Sequence, residues 1–166
     1  QWTSTGWSAL PMNPGVWQPV DVAVFGDLYV AGAVTGTTGA SAVMRWNGQA
    51  WSIPGGGLTG TAMSLGRATS LMIHDFGSGP RLVAGGSFRF AGGVPAPGLA
   101  LFDGTTWSAP FPELPNTTIN NATERRLIAR PGTGTQDLYL ATYQASANTN
   151  QVGAAVVTRT RTYSGS

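Results

Sequence analysis

Short apolar runs separated by clusters of glycine, proline, asparagine and aspartate dominate this chain, and no run is sustained at a helical period with caps at its ends. Val, Leu, Ala and aromatic residues fill them, the pattern of strands. Residues 20–25 and 28–32 are predicted as two strands joined by Gly26-Asp27, a connection suited to a tight hairpin with glycine at positive φ. Residues 68–74 and 82–88 repeat that arrangement around a loop at 75–80, and residues 125–130 and 138–143 repeat it again around a loop at 131–137. A third run follows each pair, at 42–46, 99–102 and 154–157. Asn47-Gly48 and Asp103-Gly104 are strong turn signals, so the segments holding Trp51 and Trp107 are predicted to return antiparallel as fourth strands. The expected fold class is all-β, four strands to a unit, with almost no helix.

The units are copies of one another. Arg45-Trp46-Asn47-Gly48-Gln49-Ala50-Trp51-Ser52 reappears 56 positions later as Leu101-Phe102-Asp103-Gly104-Thr105-Thr106-Trp107-Ser108, and Trp2-Thr3-Ser4-Thr5-Gly6-Trp7-Ser8 is a fainter version. A second landmark keeps nearly the same period: residues 28–32 match residues 81–85 at a separation of 53, and residues 138–142 supply a third copy. The chain therefore divides into a partial repeat at 1–7, copy one at 8–52, copy two at 53–108 and a degenerate copy three at 109–166, all within one repeat-built domain. Four strands in roughly 55 residues correspond to one β-propeller blade, so about three blades are expected.

The stretch Gly-Gly-Ser-Phe-Arg-Phe-Ala-Gly-Gly at 85–93, followed by Ala100-Leu101-Phe102-Asp103-Gly104-Thr105-Thr106-Trp107-Ser108, resembles the repeat of large extracellular bacterial β-propellers of the kelch-like type. Copy one departs from that pattern at Ala33-Val34, and copy three has Thr158-Arg159 in place of the Asp-Gly turn and Tyr163 in place of the tryptophan. The resemblance implies a secreted or cell-surface scaffold whose blades are structural or ligand-binding, and it carries no catalytic residues onto this chain.

Composition narrows the partners. Charged residues make up 10% of the chain, against about 25% in ordinary domains, so its solubility rests on Thr, Ser, Asn and Gln, and such a surface tolerates close neighbours. The nine cationic residues are all Arg, set against seven scattered acids, which is no basic patch and gives no expectation of a nucleic-acid partner. Arg159 and Arg161 alternate with threonine and read as a solvated or edge-protecting strand face. No apolar run approaches 18 residues, so no membrane span is expected. With no Cys and one His there is no disulfide framework and no metal-ligand cluster, and no cofactor is expected. Asn116 and Asn121 match the glycosylation acceptor pattern in a polar loop.

Candidate chemistry is sparse. Trp2, Trp7, Trp46, Trp51 and Trp107 hold repeat positions and read as wedges between sheets, whereas Trp17 sits in a proline-rich loop outside the pattern and is the candidate ligand contact. His74 beside Asp75 lacks a nucleophile elbow and reads as a structural pair, so no catalytic residue is assigned. Asp27, Asp75, Asp103 and Asp137 read as turn residues, and Gly55-Gly56-Gly57 and Gly92-Gly93 as turns that open no helix.

Fewer than four blades cannot enclose a channel, so further blades from a longer chain or self-association are expected. Trp2 and Trp7 at one end, and Val156, Val157 and Tyr163 at the other, are the predicted closing edges. The function expected is a non-enzymatic extracellular structural or adhesive subunit. The alternative is a carbohydrate-binding propeller module, with a glycan partner and exposed aromatics between blades; a glycan-cleaving enzyme would need converging carboxylates among Glu113, Glu124 and the aspartates.

Overall fold

Glycine-punctuated strands give antiparallel sheets throughout the described part of the chain. The computed structural model describes residues 2–3, 6–7, 9–11, 17–34, 41–61, 66–110, 124–131, 135–145 and 150–161. Residues 124–161, and Trp2, Trp7 and Trp17, are described by backbone course alone. No α-helix occurs among the described residues.

The first sheet is an antiparallel meander of β3 (Trp17–Phe25), β4 (Asp27–Val34), β5 (Val43–Trp46) and β6 (Trp51–Ser52). The second is built in the same order from β8 (Ala68–Asp75), β9 (Pro80–Gly86), β12 (Leu99–Phe102) and β13 (Trp107–Ser108). A third sheet holds β14 (Glu124–Pro131), β15 (Thr135–Ala145) and β16 (Asn150–Arg161). Three small elements complete the list: a hairpin of β1 (Trp2–Thr3) and β2 (Gly6–Trp7), a sheet of β7 (Leu58–Thr59), β10 (Phe90–Ala91) and β11 (Val94–Pro95), and a 3-10 turn at Pro54–Gly56.

The first two sheets match bond for bond. Trp46 pairs with Trp51 as Phe102 pairs with Trp107, and in the leading hairpin Trp2 pairs with Trp7 in the same way. Asn47 Oδ1 accepts the N–H groups of Gln49 and Ala50 at 3.0 and 2.9 Å, and Asp103 Oδ1 accepts those of Thr105 and Thr106 at 2.8 and 2.7 Å. These side chains mimic a backbone turn, which is why Asn or Asp is needed there. Gly32 N–H donates to the Ala42 carbonyl at 3.0 Å as Gly86 N–H donates to that of Gly98 at 3.1 Å. In both sheets the first strand carries a bulge at the same place, with Val20 and Thr69 as the extra residues.

These pairings correct the sequence-based alignment of the second landmark by one residue. Leu28 faces Trp46 as Leu82 faces Phe102, so the separation is 54 and Tyr29 corresponds to Val83. A one-residue slip exchanges the two faces of a strand, so this correction decides which side chains enter which interface. Three further differences stand out. Trp17 opens β3, paired with Val34, rather than lying in a loop; Pro19 is tolerated because β3 is an edge strand and the bulge adjoins it. The first hairpin is tighter than expected, with Asp27 already paired to Phe25 and Gly26 turning at φ 73°. Phe88 leaves the strand and is buried where the chain departs to form β10 and β11. In the third sheet β16 runs straight through Thr158 and Arg159, where the Asp-Gly turn is missing from the sequence, and no fourth strand follows among the described residues.

Each sheet has two unlike faces. The face bearing Tyr29, Ala31 and Val43 in the first sheet packs against the face bearing Leu71, Leu82, Ala84, Ala100, Phe102 and Trp107 in the second, in one continuous core. We term these the trailing face and the leading face. The Tyr29 and Phe102 rings meet at 5.8 Å and Phe102 and Trp107 at 4.8 Å, both tilted, as aromatic quadrupoles favour. Asp21 Oδ2 accepts the Leu71 N–H at 2.8 Å and ties β3 to β8. The trailing face of the second sheet buries Val83 and Leu99 against Met72, Phe76 and Leu101, with β14 running beside β8 and β9. The second sheet is therefore covered on both sides.

Candidate functional site

The leading face of the first sheet is the place where this stacking has no partner sheet among the described residues. By register Val22 corresponds to Leu71 and Val24 to Ile73. Leu71, under the first sheet, is 6% exposed and Ile73 37%; Val22 and Val24 are 59% and 70% exposed and Val20 continues their row, while Val30 and Met44 beside them on the same face are buried. Three exposed β-branched residues on one edge strand are more than scattered surface apolar groups. Beside Val24 lies a groove of about 500 Å³ lined by Leu10, Leu28, Trp46 and the Asn47-Gly48 turn.

The outer part of that face is held by the chain segment preceding the sheet. Trp51 Nε1–H donates to the Pro11 carbonyl at 2.8 Å, and Trp107 Nε1–H donates to the Pro54 carbonyl at the same distance. Leu10-Pro11 thus stands toward the first sheet as Ile53-Pro54 stands toward the second. The Trp107 indole is buried and needs that acceptor, whereas the Trp51 bond to Pro11 lies at the surface.

Titratable groups are already engaged. Asp21 Oδ1 accepts its neighbour Val22 N–H, and Asp27 pairs with Arg45, which holds the guanidinium pKa above its usual value. Asp75 Oδ1 accepts the N–H groups of Gly77 and Gly79 at 2.7 and 3.0 Å, so it closes a turn as its sequence position suggests. The two backbone N–H bonds to Asp103, with help from Thr106 Oγ1 and Arg81, keep its carboxyl below the ordinary value. Burial pushes the Tyr29 phenol up, and the Arg45 charge offsets this in part, so it stays protonated. No three His, Cys, Asp or Glu side chains converge among the described residues.

Arg67 Nε and His74 are the exceptions: both are buried without a hydrogen-bond partner among the described residues, and His74, the single histidine, is 2% exposed and edge-on to Phe76 at 4.5 Å. Burial lowers its pKa from the ordinary 6.5, and the Asp75 charge raises it only in part. The unfolded chain therefore takes up this proton at higher pH than the folded one. Stability is full above pH 6.5, falls as the pH drops through the unfolded value, and levels off below the folded value. Denaturant titrations between pH 7 and 5 are expected to show this loss in the native chain and a flat profile in His74→Leu; parallel profiles would contradict it.

The sequence-predicted site residues are scattered through this picture. The backbones of Trp2 and Trp7 pair in the leading hairpin, and Trp17 opens β3. Val156 pairs with Tyr139, and Val157 is the extra residue of a bulge in β16. Tyr163, Asn116, Asn121 and Glu113 lie outside the described residues. Sequence reasoning missed the Val20, Val22 and Val24 row and the Pro11 and Pro54 carbonyl acceptors. The common signal was a proline three or four residues after each repeat tryptophan, at Pro11 and Pro54.

Among the described residues no helix is long and apolar enough to cross a membrane. No protein-family model, curated protein or solved structure matches the chain.

Proposed function

We propose that the chain is a non-enzymatic, extracellular structural or adhesive subunit whose sheets are propeller-type blades of the kelch-like kind. The observation that carries this reading is the bond-for-bond repetition of a four-stranded meander whose copies stack leading face on trailing face through one core. Such a device builds an extended scaffold by surface complementarity. Its carboxylates support the reading as well: the four aspartates of the first two sheets are all bound to turns, to an arginine or to a neighbouring strand, leaving no free pair for acid–base work.

The burial of Trp46 and Trp107 weighs against the carbohydrate-binding alternative, which needs flat aromatic faces open to solvent. Trp51 is half-buried and its indole N–H is spent on Pro11. Binding to immobilised glycan panels is expected to stay unsaturated into the millimolar range. Saturable binding abolished by Trp17→Ala or Trp51→Ala would overturn the structural reading in favour of the sugar-binding one. Antibody labelling of intact source cells, or recovery from the medium, is the expected result for location.

A further inference from the structure

We infer that Asn47 is a self-modifying site: in the folded chain its side-chain amide is displaced by the backbone nitrogen of Gly48, and a carboxylate is left in a turn that begins neutral. The inference is independent of the blade reading. It stands on the Asn47-Gly48 turn and on the matching turn of the second sheet.

Asn47-Gly48 is the one asparagine–glycine step in the chain. Both residues are exposed, and a Cβ placed on Gly48 would meet no atom within 4 Å, so the space around its backbone is open. Its N–H donates to no group among the described residues, which leaves the nitrogen available as a nucleophile. The electrophile is prepared by the fold. Asn47 Oδ1 accepts the N–H groups of Gln49 and Ala50 at 3.0 and 2.9 Å. Those two donors draw electron density from Cγ and already point at the oxygen on which negative charge grows when a nucleophile adds there. The Asn47 N–H, bonded to the Ala50 carbonyl at 3.4 Å, keeps the loop closed around them.

The reaction needs water alone. Solvent base removes the Gly48 amide proton, the nitrogen adds to Asn47 Cγ, and the carbonyl electron pair moves onto Oδ1. The pair then returns, the Cγ–Nδ2 bond breaks, and Nδ2 takes a proton from water and leaves as ammonia. Water opens the resulting five-membered imide in one of two ways. Addition at Cγ gives aspartate, and addition at the Asn47 backbone carbonyl carbon gives an isoaspartyl link, which lengthens the main chain by one carbon. The turn accepts aspartate, since Asp103 binds the N–H groups of Thr105 and Thr106 in the same manner. Asp103-Gly104 does not follow this course: its carboxyl is held below the ordinary value by those bonds, so it is ionised and offers no neutral leaving group.

Register shows what the new charge meets. Asp27 precedes Leu28, which faces Trp46, as Arg81 precedes Leu82, which faces Phe102, so Asp27 holds the place of Arg81. The second sheet sets Arg81 Nη1 3.6 Å from Asp103 Oδ2 at this corner, whereas the first sheet has Asp27 and Asn47 there. A carboxylate at position 47 turns an attractive corner into a like-charge one, next to an Asp27 that already engages Arg45. Asp27 and Asn47 both line the groove beside Val24, so the modification makes that groove acidic.

Incubation of the full chain in neutral to mildly alkaline buffer tests this. Isoelectric focusing is expected to show the formal net charge falling by one unit, from +2 to +1, and peptide mapping to place the change at residue 47 ahead of every other asparagine, as a mixture of aspartyl and isoaspartyl products. The rate is expected to rise about tenfold for each pH unit, because the amide anion is the attacking form. The same chain unfolded in urea keeps the Asn-Gly step but loses the two N–H donors, so it is expected to convert no faster than the folded chain. Asn47→Asp is the charge control: it starts at the shifted position and does not drift. A native chain that stays intact at residue 47, an acidic shift that maps to another asparagine, or faster conversion in urea than in the folded state would overturn the inference.

Discussion

Phe102→Ala is expected to lower the unfolding free energy by about 3–5 kcal/mol, read as a fall in the urea midpoint at unchanged m-value. Phe102 is fully buried, lies across from Leu82 and Trp107 in its own sheet, and meets Tyr29 of the first sheet. Its removal opens a cavity where two sheets join. Backbone on both sides of that cavity is committed to strands, so little collapse is available to refill it. Leu71→Ala, on the same face, is expected to cost about 2–5 kcal/mol by the same mechanism. Its counterpart Val22→Ala is expected to stay within about 0.5 kcal/mol in the monomer, because solvent already reaches that side chain. Equal losses at Leu71 and Val22 would refute the unlike covering of the two leading faces.

Gly86→Ala is expected to cost about 3 kcal/mol, the upper range for overpacking. A Cβ there would collide with the Arg67 carbonyl oxygen and stand 2.7 Å from the Ala68 Cα, both backbone atoms that no rotamer change can move. The Arg67 carbonyl is not free to retreat, since it accepts the Ser87 N–H at 2.7 Å. The close approach is made by the bulge in β8, which brings the strand onto β9 just where the chain leaves the sheet. Gly93→Ala separates steric from torsional cost: a Cβ there meets no atom within 4 Å, but φ is +84°. It is expected to cost about 1–2 kcal/mol, the penalty for a left-handed L-residue. A smaller effect at Gly86 than at Gly93 would mean that the bulge relaxes to admit the methyl group.

Much of this fold was legible because its turns are made by local chemistry. Asn47 and Asp103 bind their own following N–H groups, so the strands that they join could be placed from a few adjacent residues. Register was not legible to a single residue. Leu28-Tyr29-Val30 and Leu82-Val83-Ala84 are apolar on both faces, because each sheet is covered on both sides or nearly so, and a continuous apolar run carries no alternation to mark the phase. Pro19 disguised the start of β3, since a proline argues against a strand unless an edge and a bulge coincide, which only tertiary pairing reveals. The candidate site was hidden for a similar reason. Val22 looks like an ordinary strand residue, and it is the burial of Leu71 at the matching position that makes its exposure meaningful.

The difference between the two faces of each sheet also bears on how such a gene can lengthen. A tandem duplication of one 54- to 56-residue period inserts a sheet whose leading side already fits the trailing side before it, and whose trailing side fits the next. No compensating substitution is required in either neighbour. Selection is then free to act on the turns, such as the one in copy two that carries β10 and β11. Unequal crossing-over can therefore vary the number of sheets while leaving every junction intact.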